Sequence, residues 1–179
     1  GAIIKRSAAS KELLKVKGRA VVFENLQDLH QRIDDPDLDV EPNDILVLKN
    51  AGPVGAPGMP EAGYLPIPGK LEGVKDIVRI SDARMSGTAF GTIVVHVSPE
   101  AAVGGPLALV QNGDIIDMDV EKRKLDLLLD DAEWKRRRDD LKLNPPVATR
   151  GYEWLYRQHV EQVHFGADFD FMRHESLQE

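Results

Sequence analysis

Apolar positions in this chain fall into short β-type runs separated by glycine- and proline-bearing loops, with helical spacing in only a few places. Asp76-Ile77-Val78-Arg79-Ile80 and Thr92-Ile93-Val94-Val95-His96-Val97 have the β-branched content of strands, so the stretch from Ile80 to Gly91 reads as a loop between strands. Upstream, Ile3-Ile4-Lys5 has a strand pattern and Lys11 to Lys17 is basic and leucine-containing. After Gly18, Arg19-Ala20-Val21-Val22-Phe23-Glu24 is the next β-type run. Asp44-Ile45-Leu46-Val47-Leu48-Lys49 is almost wholly apolar, the pattern of a strand covered on both faces. Asn25 is placed to cap a helix whose Leu26, Leu29 and Ile33 share one face, ending before Pro36. The acidic Asp34 to Asp39 segment reads as a solvated turn, because a calcium loop needs a fuller set of oxygen ligands.

In the second half, Ser98 is placed to cap a single turn with Pro99 at its first position. Leu107 to Val110 and Ile115 to Val120 flank Gln111-Asn112-Gly113-Asp114, whose Asn-Gly pair predicts a hairpin, and Leu125 to Leu129 supplies a further strand. Asp117 and Asp119 alternate with apolar residues as on any half-exposed strand, which is favoured over a comb of metal ligands. Asp130-Asp131 caps a helix from about Ala132 to Leu141, whose Lys135-Arg136-Arg137-Arg138 run is balanced by acidic neighbours and reads as a solvated face. Asn144-Pro145-Pro146 breaks the pattern, dividing a body of residues 1–143 from a tail of residues 144–179. Tyr152, Leu155, Tyr156, His159, Val160 and Val163 share a helical face there, predicting a docking helix in which His159 packs; His164 and His174 suggest no role by position.

Composition narrows the class. The 179 residues can bury a core without covalent staples, and the absence of cysteine excludes disulfides and thiolate-held metals from this chain. A net charge of −7 argues against binding a phosphate backbone, so nucleic acid is not an expected partner. No apolar run approaches the ~20 residues that span a bilayer, and the expectation is a soluble, cytoplasmic protein without a membrane partner. Because strand-like residues begin at Ile3, the sequence reads as starting partway through a longer protein.

Candidate chemistry sits in two loops. Asn50 to Gly63 is rich in glycine and proline, and Glu61 is its only ionisable group. The other, from Ile80 to Gly91, gathers Asp82, Arg84, Ser86 and Thr88. If the loops meet at one end of the sheet, Glu61 offers a hard oxygen ligand, Ser86 and Thr88 offer hydroxyls, and Gly87 lets a substrate approach the backbone. A serine alcohol is a weak base at neutral pH, but a divalent cation lowers the pKa of a bound hydroxyl by several units, so magnesium nearby would let Ser86 work as an alkoxide. The Gly-x-Ser-x-Gly elbow is absent: Arg84-Met85 precede Ser86 and Gly87-Thr88 follow it, which sets a triad hydrolase aside. A non-catalytic barrel that binds a small acid or docks on a protein would use the same loops.

Ser81-Asp82-Ala83-Arg84-Met85-Ser86-Gly87-Thr88, with His96-Val97-Ser98-Pro99-Glu100-Ala101 and Gly104-Gly105-Pro106, resembles the C-terminal domain of the family of dihydroxy-acid, 6-phosphogluconate and sugar-acid dehydratases. Gly52-Pro53 through Gly58-Met59-Pro60-Glu61 resembles that family's other C-terminal signature, and the likeness runs from Gly1 to the Phe165–Phe171 segment. Ala83, Met85 and Thr88, where branched-chain enzymes tend to have a Gly-Arg-Phe-Ser-Gly pattern, are similar to the pentonate branch acting on arabonate or xylonate. The resemblance implies an α/β fold, a swivelling β-barrel-like domain flanked by helices, similar to the mobile domain of aconitase. It also implies loss of water from a 2,3-dihydroxy acid to a 2-keto-3-deoxy acid. In that reading Ser86 removes the C2 proton, Gly87 and Thr88 join it in binding substrate, with Thr88 beside the C3 hydroxyl, and Glu61 is a magnesium ligand. An iron–sulfur cluster, expected as 2Fe-2S, and the remaining magnesium ligands belong to an N-terminal domain of the same protein. The implied partners are therefore that domain, a small sugar acid and further copies in a dimer or tetramer, and the isolated chain is expected to be inert. A dihydroxy-acid or 6-phosphogluconate dehydratase is the alternative within the family.

Overall fold

The computed structural model describes residues 1–61, 65–143 and 148–172. Its centre is a mixed sheet of β1 (Ile3–Ile4), β2 (Lys15–Phe23), β3 (Ile45–Leu48), β4 (Val78–Ser81), β5 (Ile93–Val95), β6 (Ile115–Asp119) and β7 (Lys124–Leu127). The seven strands lie in the order β1-β5-β4-β3-β2-β6-β7. Three helices, α1 (Leu26–Arg32), α2 (Asp131–Asp140) and α3 (Gly151–His159), complete the α/β arrangement.

The run β2 to β5 is parallel, in spatial order 5-4-3-2, while β1, β6 and β7 are antiparallel to their neighbours. Strand β2 bends the sheet. Its first half, Lys15 to Arg19, pairs with β6, and its second half, Ala20 to Phe23, pairs with β3. The concave face collects Ala20, Val22, Val47, Ile80, Val94, Ile116 and Met118, with Ile4 and Leu125 from the two edge strands against the same core. The result is a curled half-barrel: β1 and β7 are its edges, and a hollow of about 450 Å³ lined by Ile3, Ile4, Leu125 and Asp126 lies between them. The convex face of β2 and β3, with Val21, Phe23, Leu46 and Leu48, is covered by Leu29 and Ile33 of the α1 region and by Leu38, Leu65 and Ile77 from loops. Double coverage explains why β3 is apolar at every position.

Most predicted elements are present, and several local expectations change. Strand β2 begins at Lys15, because Lys15 to Arg19 pair with β6 and Gly18 lies so close to Asn43 that a Cβ would stand 2.6 Å from its carbonyl oxygen. Residues Pro106–Leu109 form a 3₁₀ turn where a strand was expected. The Asn-Gly turn serves β2 instead: Asn112 Oδ1 accepts from Val22 N at 2.6 Å, and Gly113 N donates to Ala20 O at 2.9 Å. Ser98 caps nothing; the next turn is Ala101–Val103, and the Ser98 hydroxyl meets His164 Nδ1 at 2.6 Å. Helix α2 is solvated on most of its surface, but the Arg137 side chain is only 8 % exposed, reaching Asp114 at 2.5 Å and Leu109 O at 2.8 Å. The Asn144-Pro145-Pro146 break and His174 lie outside the described residues. Helix α3 spans Gly151–His159, so Val160 and Val163 follow it, and His159 pairs with Asp170 at 2.9 Å.

Candidate active site

Parallel strands send their following loops off one edge of a sheet, and ligands of such sheets bind beyond the carboxyl ends of the strands. Here that edge carries the loops after β3, β4 and β5, which bring together both stretches singled out in the sequence. Asn50 turns the chain off β3 with a left-handed backbone, φ 56°, while its side-chain amide donates to Glu24 O at 2.9 Å. The loop then folds on itself, Ala56 N to Gly52 O at 2.8 Å and Met59 N to Ala56 O at 2.9 Å, and carries the chain to Glu61.

Arg84 joins this loop to the next one. Its Nε donates to Met59 O at 2.5 Å and its Nη1 meets Glu61 Oε1 at 2.8 Å, with both side chains about half exposed. Two residues on, Ser86 Oγ and Thr88 Oγ1 are 2.9 Å apart, and Thr88 N–H donates to Ser86 Oγ at 3.3 Å. Lys5 Nζ donates to the Gly87 carbonyl. A Cβ built on Gly87 would meet nothing within 4 Å, so the space over Ser86-Gly87-Thr88 is open to an incoming molecule. The far end of the loop is fixed by Asp76, which accepts from Thr92 N at 3.0 Å, from the Thr92 hydroxyl at 2.7 Å and from the Ser10 hydroxyl at 2.7 Å. Burial by itself would raise the Asp76 carboxyl, but these bonds and the Arg79 guanidinium bring it below the usual carboxylate range.

Three ionisable groups at this rim stand out in the structure. Asp82 is fully buried, and burial pushes its carboxyl up to about 6, although Ala51 N and Ala101 N each donate to it at 2.9 Å. Glu100 is 1 % exposed and accepts from Val54 N and Gly55 N at 2.9 Å and from Gln162 Nε2 at 2.7 Å. His96 follows β5 with a left-handed backbone, φ 55°, and its main-chain N–H donates to Ala83 O at 3.0 Å. Burial, then the positive charge of Arg84, lowers its pKa. Asp82 and Glu100 were visible in the sequence as single acids beside the apolar ends of β4 and β5. That both are buried depends on three loops converging, which no local pattern encodes.

The expected ligands divide by chemistry. Glu61 is a half-exposed carboxylate able to give an oxygen to magnesium, but no group of three or more histidine, aspartate or glutamate side chains suited to a metal exists among the described residues. The chain therefore fits magnesium as a contributor of one ligand. It does not fit an iron–sulfur cluster, having no cysteine. A hollow of about 490 Å³ under α2 is lined by apolar residues such as Ile80, Leu107, Leu127 and Trp134, far in character from a polyol site.

Residues 1–167 match the family model described as "Dihydroxy-acid/6-phosphogluconate dehydratase C-terminal". The chain belongs to that family. Among curated relatives, this dehydratase C-terminal domain is similar to an L-arabinonate dehydratase of Rhizobium leguminosarum bv. trifolii, 54 % identical over 97 % of the chain and 30 % of the relative. A 6-deoxy-6-sulfo-D-gluconate dehydratase of Pseudomonas putida is 52 % identical over 97 % of the chain and 30 % of the relative. An L-arabonate dehydratase of Azospirillum brasilense is 54 % identical over 96 % of the chain and 31 % of the relative. The domain thus spans about 30 % of the length of these relatives. No helix among its described residues is long and apolar enough to cross a membrane.

Proposed function

We propose that this domain is the C-terminal part of a sugar-acid dehydratase that converts an aldonic acid, with arabonate or xylonate as the leading substrates, to a 2-keto-3-deoxy acid. The observation that carries this reading is the joining of the Glu61 and Ser86 loops by Arg84 at the carboxyl ends of parallel strands, which sets a carboxylate and a hydroxyl pair on one rim. The names of the similar relatives, each a dehydratase of a sugar acid, support the same class. Near-equal identity to the arabinonate and sulfogluconate enzymes leaves chain length and the C6 substituent to be decided by assay.

Ser86 removes the C2 proton. Thr88 N–H and the Thr88 hydroxyl both address Ser86 Oγ, and hydrogen bonds to the charged form favour the alkoxide. The electron pair of the broken C2–H bond forms the C2–C3 double bond as the C3–O bond breaks. The proton taken by Ser86 is balanced by the one the departing hydroxide gains, so that water leaves, the alkoxide is restored and the enol left behind tautomerises to the 2-keto acid. Glu61 would hold magnesium, which supplies charge stabilisation for the substrate's oxygens. An iron–sulfur cluster has no ligands here, and no step assigned to these residues passes through one. The complete site, its further ligands and an assembly of several copies are assigned to the full-length protein, with this domain inert in isolation.

The test is a panel of aldonic acids with the full-length protein, following 2-keto acid formation. Turnover of a pentonate, lost by at least 10³-fold in Ser86→Ala, is the expected result. Turnover by Ser86→Ala within a few-fold of wild type, or by neither protein on any acid of the panel, refutes the reading.

A further inference from the structure

The two buried carboxylates at the rim are not needed as ligands or bases, and their hydrogen bonds have a common pattern. Asp82 begins the Ser86 loop, and its two oxygens go to different neighbours: Oδ1 to Ala51 N in the Glu61 loop, Oδ2 to Ala101 N in the loop after β5. Glu100, in that third loop, reaches back to the Glu61 loop with both oxygens, Oε1 to Val54 N and Oε2 to Gly55 N. Asp82 thus ties two loops to its own and Glu100 ties one, so that the three loops are joined pairwise into a ring of hydrogen bonds. The Gln162 amide completes it from the segment after α3, donating to Glu100 Oε1 at 2.7 Å and accepting from Glu100 N at 2.8 Å. Gly52 lies directly on this acid, where a Cβ would stand 2.7 Å from Glu100 Oε2.

The geometry points to Asp82 and Glu100 as positioning residues that hold the Glu61 loop in place against the Ser86 loop. Only a carboxylate does this. Both oxygens of each acid accept N–H donors, whereas an amide of equal size accepts on one atom and turns an NH₂ toward a donor on the other. A shift of about 1 Å between reacting groups is enough to cost ~10²-fold in rate, so loosening the ring acts on turnover without touching substrate. In assigning a catalytic effect to the ring, this inference rests on the dehydratase reading.

The experiment uses the full-length protein with Asp82→Asn, Glu100→Gln and Gly52→Ala. The last keeps both acids but forces the loop off Glu100, and stands in if an amide variant does not fold. Arg137→Ala, on α2 away from the rim, is the control for general destabilisation. Amide hydrogen exchange is followed by mass spectrometry beside kcat and KM on a pentonate. Exchange across residues 51–61 should rise at least tenfold in the rim variants with β3 and β4 unchanged, and kcat should fall tenfold or more with a smaller change in KM. Arg137→Ala should lower the melting temperature without either effect. Unchanged exchange at residues 51–61 in the rim variants overturns the inference, as does a loss of kcat matched by Arg137→Ala. A wild-type protein inactive on every acid, with the exchange response intact, sinks the dehydratase reading and supports the ring.

Discussion

Gly91 closes the Ser86 loop under conditions that leave no room for any side chain, and Gly91→Ala measures how firmly that closure is built. Its backbone has φ +117°, and an added Cβ would lie 1.9 Å from Arg79 Nη2 and 2.9 Å from Asp76 Oδ1. Arg79 cannot step aside: it is 2 % exposed, and its guanidinium is held by Asp76 at 2.9 Å, Leu65 O at 3.1 Å and Ile77 O at 3.2 Å. Gly91 is itself tied by its N–H to Ala8 O at 2.9 Å. A strained backbone costs about 1–3 kcal/mol and overpacking a filled site another 1–3 kcal/mol or so, together about 4 kcal/mol. For a chain of this size that lowers the melting temperature by roughly 8–16 °C, read by scanning calorimetry. Gly113→Ala is the comparison, since Gly113 has φ +88° but nothing within 4 Å of the added Cβ; it should cost only the backbone share, about 1–2 kcal/mol. A Gly91→Ala protein melting within 2 °C or so of wild type would refute the packing argument.

Gly87→Ala is expected to leave stability within about 0.5 kcal/mol, because its Cβ would meet nothing within 4 Å, yet to reduce pentonate turnover by the full-length protein; wild-type turnover would show that substrate does not approach there. Arg137→Ala should cost about 3 kcal/mol in chemical denaturation, as it leaves Asp114 buried without its partner, while Arg136→Ala, whose ion pairs with Glu133 and Asp140 are solvated, should cost under about 0.5 kcal/mol. Equal losses would contradict this division. Asp82 has a folded-state pKa near 6, above its unfolded value of 3.8, so the native state binds more protons between those values and is weakened as pH rises through them. The stability difference between wild type and Asp82→Asn should therefore fall by roughly 2 kcal/mol from about pH 4 to about pH 6.5, and a flat difference in paired denaturation curves would rule out the buried ionisation.

The strands were legible where a segment is buried on both faces, as Ile45 to Leu48 is, because a short apolar run bounded by turn residues suits a covered strand and is too short for a helix. Helix α1 was legible for a local reason too: Asn25 Oδ1 accepts from Asp28 N at 2.9 Å, as its position predicts. Misreadings arose where a local motif is used at long range. Asn112-Gly113 carries the residues of a hairpin turn, but its side chain and amide complete the β2 ladder some ninety residues earlier in the chain. Residues 106–109 are then free to follow Pro106 into a 3₁₀ turn. At the candidate site, residue type pointed to Glu61, Ser86 and Thr88, and the structure places the two hydroxyls 2.9 Å apart and brings Glu61 to their loop through Arg84. Asp82 was read only as a member of the Ser86 loop and Glu100 only as part of a motif, because chain neighbours do not show which acids end up buried. Their burial comes from the parallel order of β3, β4 and β5, which a linear pattern does not reveal.

Because Asp82 and Glu100 close hydrogen bonds among the loops after β3, β4 and β5, those loops form one structural unit. Transplanting the Gly52-to-Glu61 segment alone from a relative would place a foreign backbone against two carboxylates shaped for the resident one. Moving all three segments together would carry the acids and their donors as a set, onto strands whose pairing register need not change. This rim is thus best exchanged between relatives whole, three loops at a time.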